Sequence, residues 1–125
     1  MNDFSIPGTQ SSPEIQSDWD AGRLLMRGDS YPENAHELFR QVFGWIDRFL
    51  AEAGRPLQLE LHLLYLNTSS IKALMDVFDL LEEAHGDGKP VSVVWHYDQR
   101  NERVYELAGE FKEDCTFPFE IVSHG

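Results

Sequence analysis

A run of polar residues, Asn67-Thr68-Ser69-Ser70, follows a long apolar segment and precedes an amphipathic one. A phosphate on Thr68 would lie at the start of a helix, where free backbone N–H groups and the positive end of the helix dipole favour negative charge. Ser and Thr are also preferred helix caps, and Asn favours turns. The spacing therefore leaves two interpretations open for Thr68, a helix cap and a site of regulatory phosphorylation.

Acidic residues fall in the loops that follow two neighbouring predicted strands. These loops form a negatively charged edge of the sheet. A phosphothreonine carries about −1.5 to −2 charges, so it would repel the carboxylates at this edge and favour release of a partner. We expect the partner-binding edge to comprise Asp29, Ser30, Tyr31, Glu33 and Asp98. The same carboxylates also have an ordinary structural interpretation, in which Glu33 belongs to the first turn of a helix and Asp29 and Asp98 are turn residues. This alternative stays open.

Hydrophobic periodicity predicts the elements that position these residues. Helices are predicted at residues 32–53, 69–85 and 101–113. Strands are predicted at residues 13–18, 22–27, 57–66, 91–97 and 117–121. The order β-β-α-β-α-β-α-β predicts an α/β domain with a mixed sheet of about five strands and helices mainly on one face. Strands joined through single helices run parallel, so their carboxyl-end loops share the edge where sites usually lie.

Composition narrows the class of protein. A length of 125 residues with 42% hydrophobic residues fits one domain over residues 1–125, in which the Ser-, Gly- and Pro-rich residues 1–12 are expected to be loosely ordered. The net charge of −12 argues against binding to nucleic acid and to anionic membranes. No apolar run approaches the roughly 20 residues of a membrane span. The lone Cys115 is compatible with a reducing compartment, and we expect a cytoplasmic protein.

Motifs of catalysis and metal binding are missing from the sequence. It has no histidine pair at i, i+4 on one helix, no Cys-x-x-Cys, no nucleophile elbow and no glycine-rich phosphate loop. We therefore expect no metal and no cofactor, with His62 and His96 on the polar halves of adjacent strands. The alternative from another class is a small enzyme that uses Asp29, Glu33, Asp98 and His96, but no paired spacing supports it.

Five motifs, in order along nearly the whole chain, resemble the SiaC family of bacterial regulatory phosphoproteins. The fold of that family is similar to the STAS domains of anti-sigma factor antagonists. His96 departs mildly from the family pattern, in which we expect an aromatic residue more often. The five motifs are Ser12-Pro13-Glu14-Ile15, Gly28-Asp29-Ser30-Tyr31-Pro32-Glu33-Asn34, Tyr65-Leu66-Asn67-Thr68-Ser69-Ser70, Trp95-His96-Tyr97-Asp98 and Glu106-Leu107-Ala108-Gly109-Glu110.

The resemblance implies a STAS-like fold, no enzymatic activity and a phosphoacceptor at Thr68, with Asn67, Ser69 and Ser70 as its neighbourhood. It implies that a protein kinase phosphorylates Thr68 and a metal-dependent serine/threonine phosphatase removes the phosphate. The unphosphorylated form would bind and activate a diguanylate cyclase, raising cyclic di-GMP and promoting aggregation or biofilm growth. Within the binding class, the alternative is an anti-sigma factor antagonist with the same fold and switch that acts on transcription.

Overall fold

The computed structural model describes residues 3–124 and shows one six-stranded sheet with three helices. The elements are β1 (Ser5–Ile6), β2 (Glu14–Asp18), β3 (Arg23–Ser30), α1 (Ala35–Glu52), β4 (Leu57–Leu66), α2 (Thr68–Gly86), β5 (Val91–Asp98), α3 (Glu102–Glu113) and β6 (Phe119–His124). The strands lie in the order of the sequence. Strands β1 to β3 pair antiparallel, and β3 to β6 pair parallel. The predicted mixed α/β fold is therefore confirmed.

The sheet has six strands where the sequence predicted about five, and the extra strand is β1. Ser5 lies opposite Gln16 and Ile6 lies opposite Ile15. A two-residue strand is too short to show an alternating pattern, so periodicity could not reveal it. Asp3 adds an anchor, because its carboxylate accepts a hydrogen bond from the indole nitrogen of Trp45 at 3.1 Å. Met1 and Asn2, the first residues of the segment expected to be loosely ordered, lie outside the described residues.

The helices cover one face of the sheet, as predicted, and enclose a single hydrophobic cluster. In β4, alternate side chains point into this cluster, which is why Leu57, Leu59, Leu61 and Leu63 are buried. The other face of the sheet carries half-buried polar side chains instead. No helix within residues 3–124 is long and apolar enough to cross a membrane.

A register shift between β3 and β4 interrupts the alternation of buried and exposed side chains at the carboxyl end of β4. Gly28, with a φ of 111°, lies opposite Leu63, whereas Asp29 lies opposite Tyr65, so Leu64 is the extra residue. Positive φ is accessible to glycine without steric cost. After the shift, Leu64 and Tyr65 are both exposed at 51% and 45%, and Leu66 returns to the core. The shift therefore places apolar side chains on the surface directly before Thr68.

Candidate functional site

The start of α2 is capped by Asn67, and Thr68 is the first residue of the helix. The Asn67 side-chain oxygen accepts hydrogen bonds from the backbone N–H of Ser70 at 2.9 Å and from the Ser69 hydroxyl at 3.1 Å. The interpretation of Thr68 as the helix cap is therefore wrong, because the amide side chain of Asn67, one residue earlier, fills that role. Thr68 itself is exposed.

A buried pair of hydroxyls fixes α2 to the end of β3. The Ser30 and Ser70 oxygens lie 2.7 Å apart, and both side chains are fully buried. The Ser30 carbonyl also accepts a hydrogen bond from the backbone N–H of Asn67 at 2.9 Å. Ser30 was expected on the partner-binding edge, but a fully buried side chain cannot contact a partner in this conformation. Its role here is to position the junction.

Two exposed tyrosines flank this junction on the β3 and β4 sides. The rings of Tyr31 and Tyr65 meet edge to face, with centroids 5.7 Å apart, and Tyr31 is 38% exposed. We call these two tyrosines and Leu64, the exposed residue that precedes Tyr65, the tyrosine patch (Tyr31, Leu64, Tyr65). Aromatic side chains of this kind are enriched at protein interfaces because they supply large contact area at low entropic cost.

A cavity of about 300 Å³ lies between the end of β4, the start of α2 and one face of α3, and Leu64, Tyr65 and Thr68 are among its lining residues. Its charged lining comes from Arg103, Glu106 and Glu110. These α3 residues were not among the site residues predicted from the sequence. The available signal was the i, i+4 spacing of Glu106 and Glu110, which puts both carboxylates on one helix face.

The acidic residues predicted for this edge lie around it and do not line the cavity. Asp29 is half-buried beside Tyr65 on the neighbouring strand, and Glu33 is exposed in the loop before α1. Asp98 forms an ion pair with Arg100 at 2.7 Å. Hydrogen bonds from the Arg100 side chain and backbone hold the pKa of the Asp98 carboxyl well below its usual range. The carboxylates that line the cavity together with Thr68 are therefore Glu106 and Glu110.

Two groups that could serve catalysis, the Cys115 thiol and the Asp98 carboxylate, have pKa values that suit it poorly. Cys115 is half-buried, and burial, with nearby Glu82, raises the pKa of its thiol to about 11, so the thiolate is scarce at neutral pH. Asp98, with its lowered pKa, is a weak base for the enzyme alternative. His62 and His96 do lie on adjacent strands, as predicted, and their rings stack on the open face of the sheet.

Comparisons with known proteins agree with the resemblance. The model of the SiaC family of regulatory phosphoproteins matches residues 6–124. An uncharacterized protein of Pseudomonas aeruginosa (strain UCBPP-PA14) is 69% identical over 124 residues, which are 99% of this chain and 98% of that protein.

Solved structures with high similarity come from the same species. The structure of SiaC of Pseudomonas aeruginosa matches with a TM-score of 0.93 and 67% identity, covering 99% of this chain and 100% of the other. A chain in the crystal structure of the diguanylate cyclase SiaD in complex with its activator SiaC matches with a TM-score of 0.95 and 70% identity, covering 98% and 100%. The present chain therefore belongs to the SiaC family of regulatory phosphoproteins.

Proposed function

We propose that this protein binds and activates a diguanylate cyclase, and that phosphorylation of Thr68 blocks this interaction. The observation that carries the proposal is the relative that is 70% identical over 98% of this chain and is described as the activator in complex with a diguanylate cyclase. At that similarity the same surface of the same fold is available in both proteins.

Thr68 suits a phosphoacceptor for three structural reasons. Its side chain is exposed, so a kinase can reach the hydroxyl. The cap of α2 is Asn67, so modification of Thr68 does not remove the hydrogen bond that holds the helix start. The first turn of α2 is uncharged, and a phosphate there would meet the positive end of the helix dipole.

Phosphorylation would change the cavity and the part of the tyrosine patch that lines it. The phosphate would be attracted to Arg103 and repelled by Glu106 and Glu110. Its negative charge would also lie in the cavity that the exposed Leu64 and Tyr65 line. A partner that buries these apolar groups would have to desolvate the phosphate as well, which is costly for an unpaired charge. Phosphorylation would therefore weaken the interaction without unfolding the helix.

The proposal includes two further partners, which the resemblance to the family implies. A protein kinase would phosphorylate Thr68, and a metal-dependent serine/threonine phosphatase would reverse the modification. The chain itself would act without enzymatic activity, cofactor or resident catalytic group, in the cytoplasm where its cyclase makes cyclic di-GMP. Partner-edge contacts would come from the tyrosine patch and from exposed Glu33, with Asp29 and Asp98 at the periphery.

The test is binding of the purified cyclase to a set of matched variants. Thr68→Ala removes the acceptor and should bind as wild type does, because neither the helix cap nor the tyrosine patch is altered. Thr68→Asp adds a negative charge and should weaken binding at least about tenfold. Ser5→Asp places the same charge on exposed β1 and should have no effect.

Three outcomes would contradict the proposal. Equal binding by Thr68→Asp and wild type would remove Thr68 from the interface, and capture of an anti-sigma factor instead of a cyclase by the unphosphorylated protein would support the transcriptional alternative. Robust hydrolysis of generic phosphoester or ester substrates that is lost in Asp98→Asn would revive the enzyme alternative.

A further inference from the structure

Three histidines from three adjacent strands form a row on the open face of the sheet. The rings of His62 on β4 and His96 on β5 are stacked at 4.4 Å with an interplanar angle of 6°. The ring of His124 on β6 lies 4.9 Å from that of His96, and the two rings share a hydrogen bond of 2.7 Å between Nδ1 of His96 and Nε2 of His124.

The parallel register assembles this row and adds a carboxylate. Leu61 lies opposite Trp95 with both side chains in the core, so the next residue of each strand points to the open face. Glu60 precedes His62 by two residues and therefore shares its face. Its Oε2 atom lies 2.8 Å from Nε2 of His62, while its Oε1 atom lies 3.9 Å from Arg23.

We propose that Glu60, His62 and His96 form a binding site for one divalent transition-metal ion, of which Zn²⁺ fits the donor set best. One ligand atom from each residue lies within 4.8 Å of the other two. Bonds from zinc to imidazole nitrogen and carboxylate oxygen are about 2.0 to 2.2 Å long. The stacked rings of His62 and His96 would therefore turn about their side-chain torsions until a nitrogen lone pair of each points at the same ion.

The donor set selects the class of metal. Two imidazoles and one carboxylate are the ligands of three-residue zinc sites that keep one position for water or another ligand, whereas Ca²⁺ and Mg²⁺ prefer oxygen ligands alone. His124, bonded to the ring of His96, supplies the outer-shell partner that orients a metal-binding histidine.

This group was not predicted from the sequence. The expectation of no metal rested on helical i, i+4 spacing, which a group drawn from two strands does not show.

The site is independent of the Thr68 switch, because it lies on the sheet face opposite the helices. The test is calorimetric titration of the tag-free protein with Zn²⁺, with Co²⁺ as a spectroscopic probe. Wild type should bind one ion per chain, and bound Co²⁺ should give the visible bands of a low-coordinate site. Zinc should also raise the melting temperature, since it binds the folded state.

His96→Phe retains an aromatic ring in the stack but removes its nitrogen ligands, and it should weaken Zn²⁺ binding by at least about 10- to 100-fold. Glu60→Gln should also weaken Zn²⁺ binding, and it tests the site independently if His96→Phe alters the fold. His36→Gln, at an exposed position of α1, is the matched control and should bind as wild type does. Absence of saturable Zn²⁺ binding to wild type, or equal affinity in His96→Phe and His36→Gln, would overturn the proposal.

Discussion

Residue types alone identified the junction between β4 and α2, but they could not show which residue caps the helix and which is free to be modified. Asn, Ser and Thr all cap helices, so a shift of one residue in the start of α2 moves the cap among Asn67, Thr68 and Ser69. The sequence favoured the hydroxyls, whereas the backbone turns at Asn67 and leaves Thr68 exposed. This separation of the capping residue from the phosphoacceptor matters for function, because a residue that does not hold the helix start can be modified without loss of the fold.

This separation predicts different stabilities for two adjacent alanine variants. Asn67→Ala removes the cap that accepts the Ser70 N–H and should lower the free energy of unfolding by about 1 kcal/mol. Thr68→Ala, at an exposed first-turn position, should change it by less than about 0.5 kcal/mol. Urea unfolding followed by circular dichroism measures both. A larger loss in Thr68→Ala than in Asn67→Ala would show that the threonine holds the helix start.

At the scale of elements, long periodic segments were predictable and short or irregular ones were not. The sequence placed α2 within one residue of its observed bounds, Thr68–Gly86, because its apolar spacing continues to the turn that ends it. It started α1 too early, at Pro32, because proline suits a first turn, but Asn34 is the cap and accepts the Glu37 N–H at 3.0 Å. The final strand was predicted at 117–121 and lies at Phe119–His124, because apolar Phe117 joins the core before the strand begins.

The β2–β3 hairpin depends on a glycine whose replacement should be costly. Gly22 has a φ of 69°, and a Cβ there would lie 2.3 Å from the Pro56 carbonyl oxygen. Gly22→Ala should therefore lower the free energy of unfolding by about 2 kcal/mol or more, from backbone strain and from this clash.

Gly44, within α1, is the matched control because a Cβ there meets no atom within 4 Å among the described residues. Gly44→Ala should raise the free energy of unfolding by about 0.5 to 1 kcal/mol, since glycine is unfavourable in a helix. Thermal or urea unfolding compares the two variants. Equal effects would contradict the assigned hairpin geometry.

At the scale of the whole molecule, topology brings together residues that are distant in sequence. The parallel order of β3, β4 and β5 was predictable, and with it the gathering of their carboxyl ends at one edge. The packing angle of α3 was not, and so Arg103, Glu106 and Glu110 were missed beside Thr68. Hydrophobic periodicity shows which face of a helix is apolar, but it does not show which neighbouring elements the polar side chains approach.

The tyrosine patch is an exposed group of large apolar side chains on a molecule of net charge −12, and we predict that the cyclase binds there. Tyr65→Ala removes an exposed ring of the tyrosine patch and should weaken cyclase binding about tenfold or more, as expected for an aromatic anchor. Met75→Ala, similarly exposed at 49% but farther along α2, should leave affinity unchanged. Surface plasmon resonance with the immobilised cyclase measures both, and an equal loss in the two variants would place the interface elsewhere.

The most direct test of phosphorylation control is the rate of cyclic di-GMP synthesis by the purified cyclase in the presence of two forms of this protein. One form is unmodified, and the other carries phosphothreonine at position 68, with the site verified by mass spectrometry. The unmodified form should stimulate synthesis, the phosphorylated form should not, and phosphatase treatment should restore stimulation. Equal stimulation by both forms would contradict phosphorylation control.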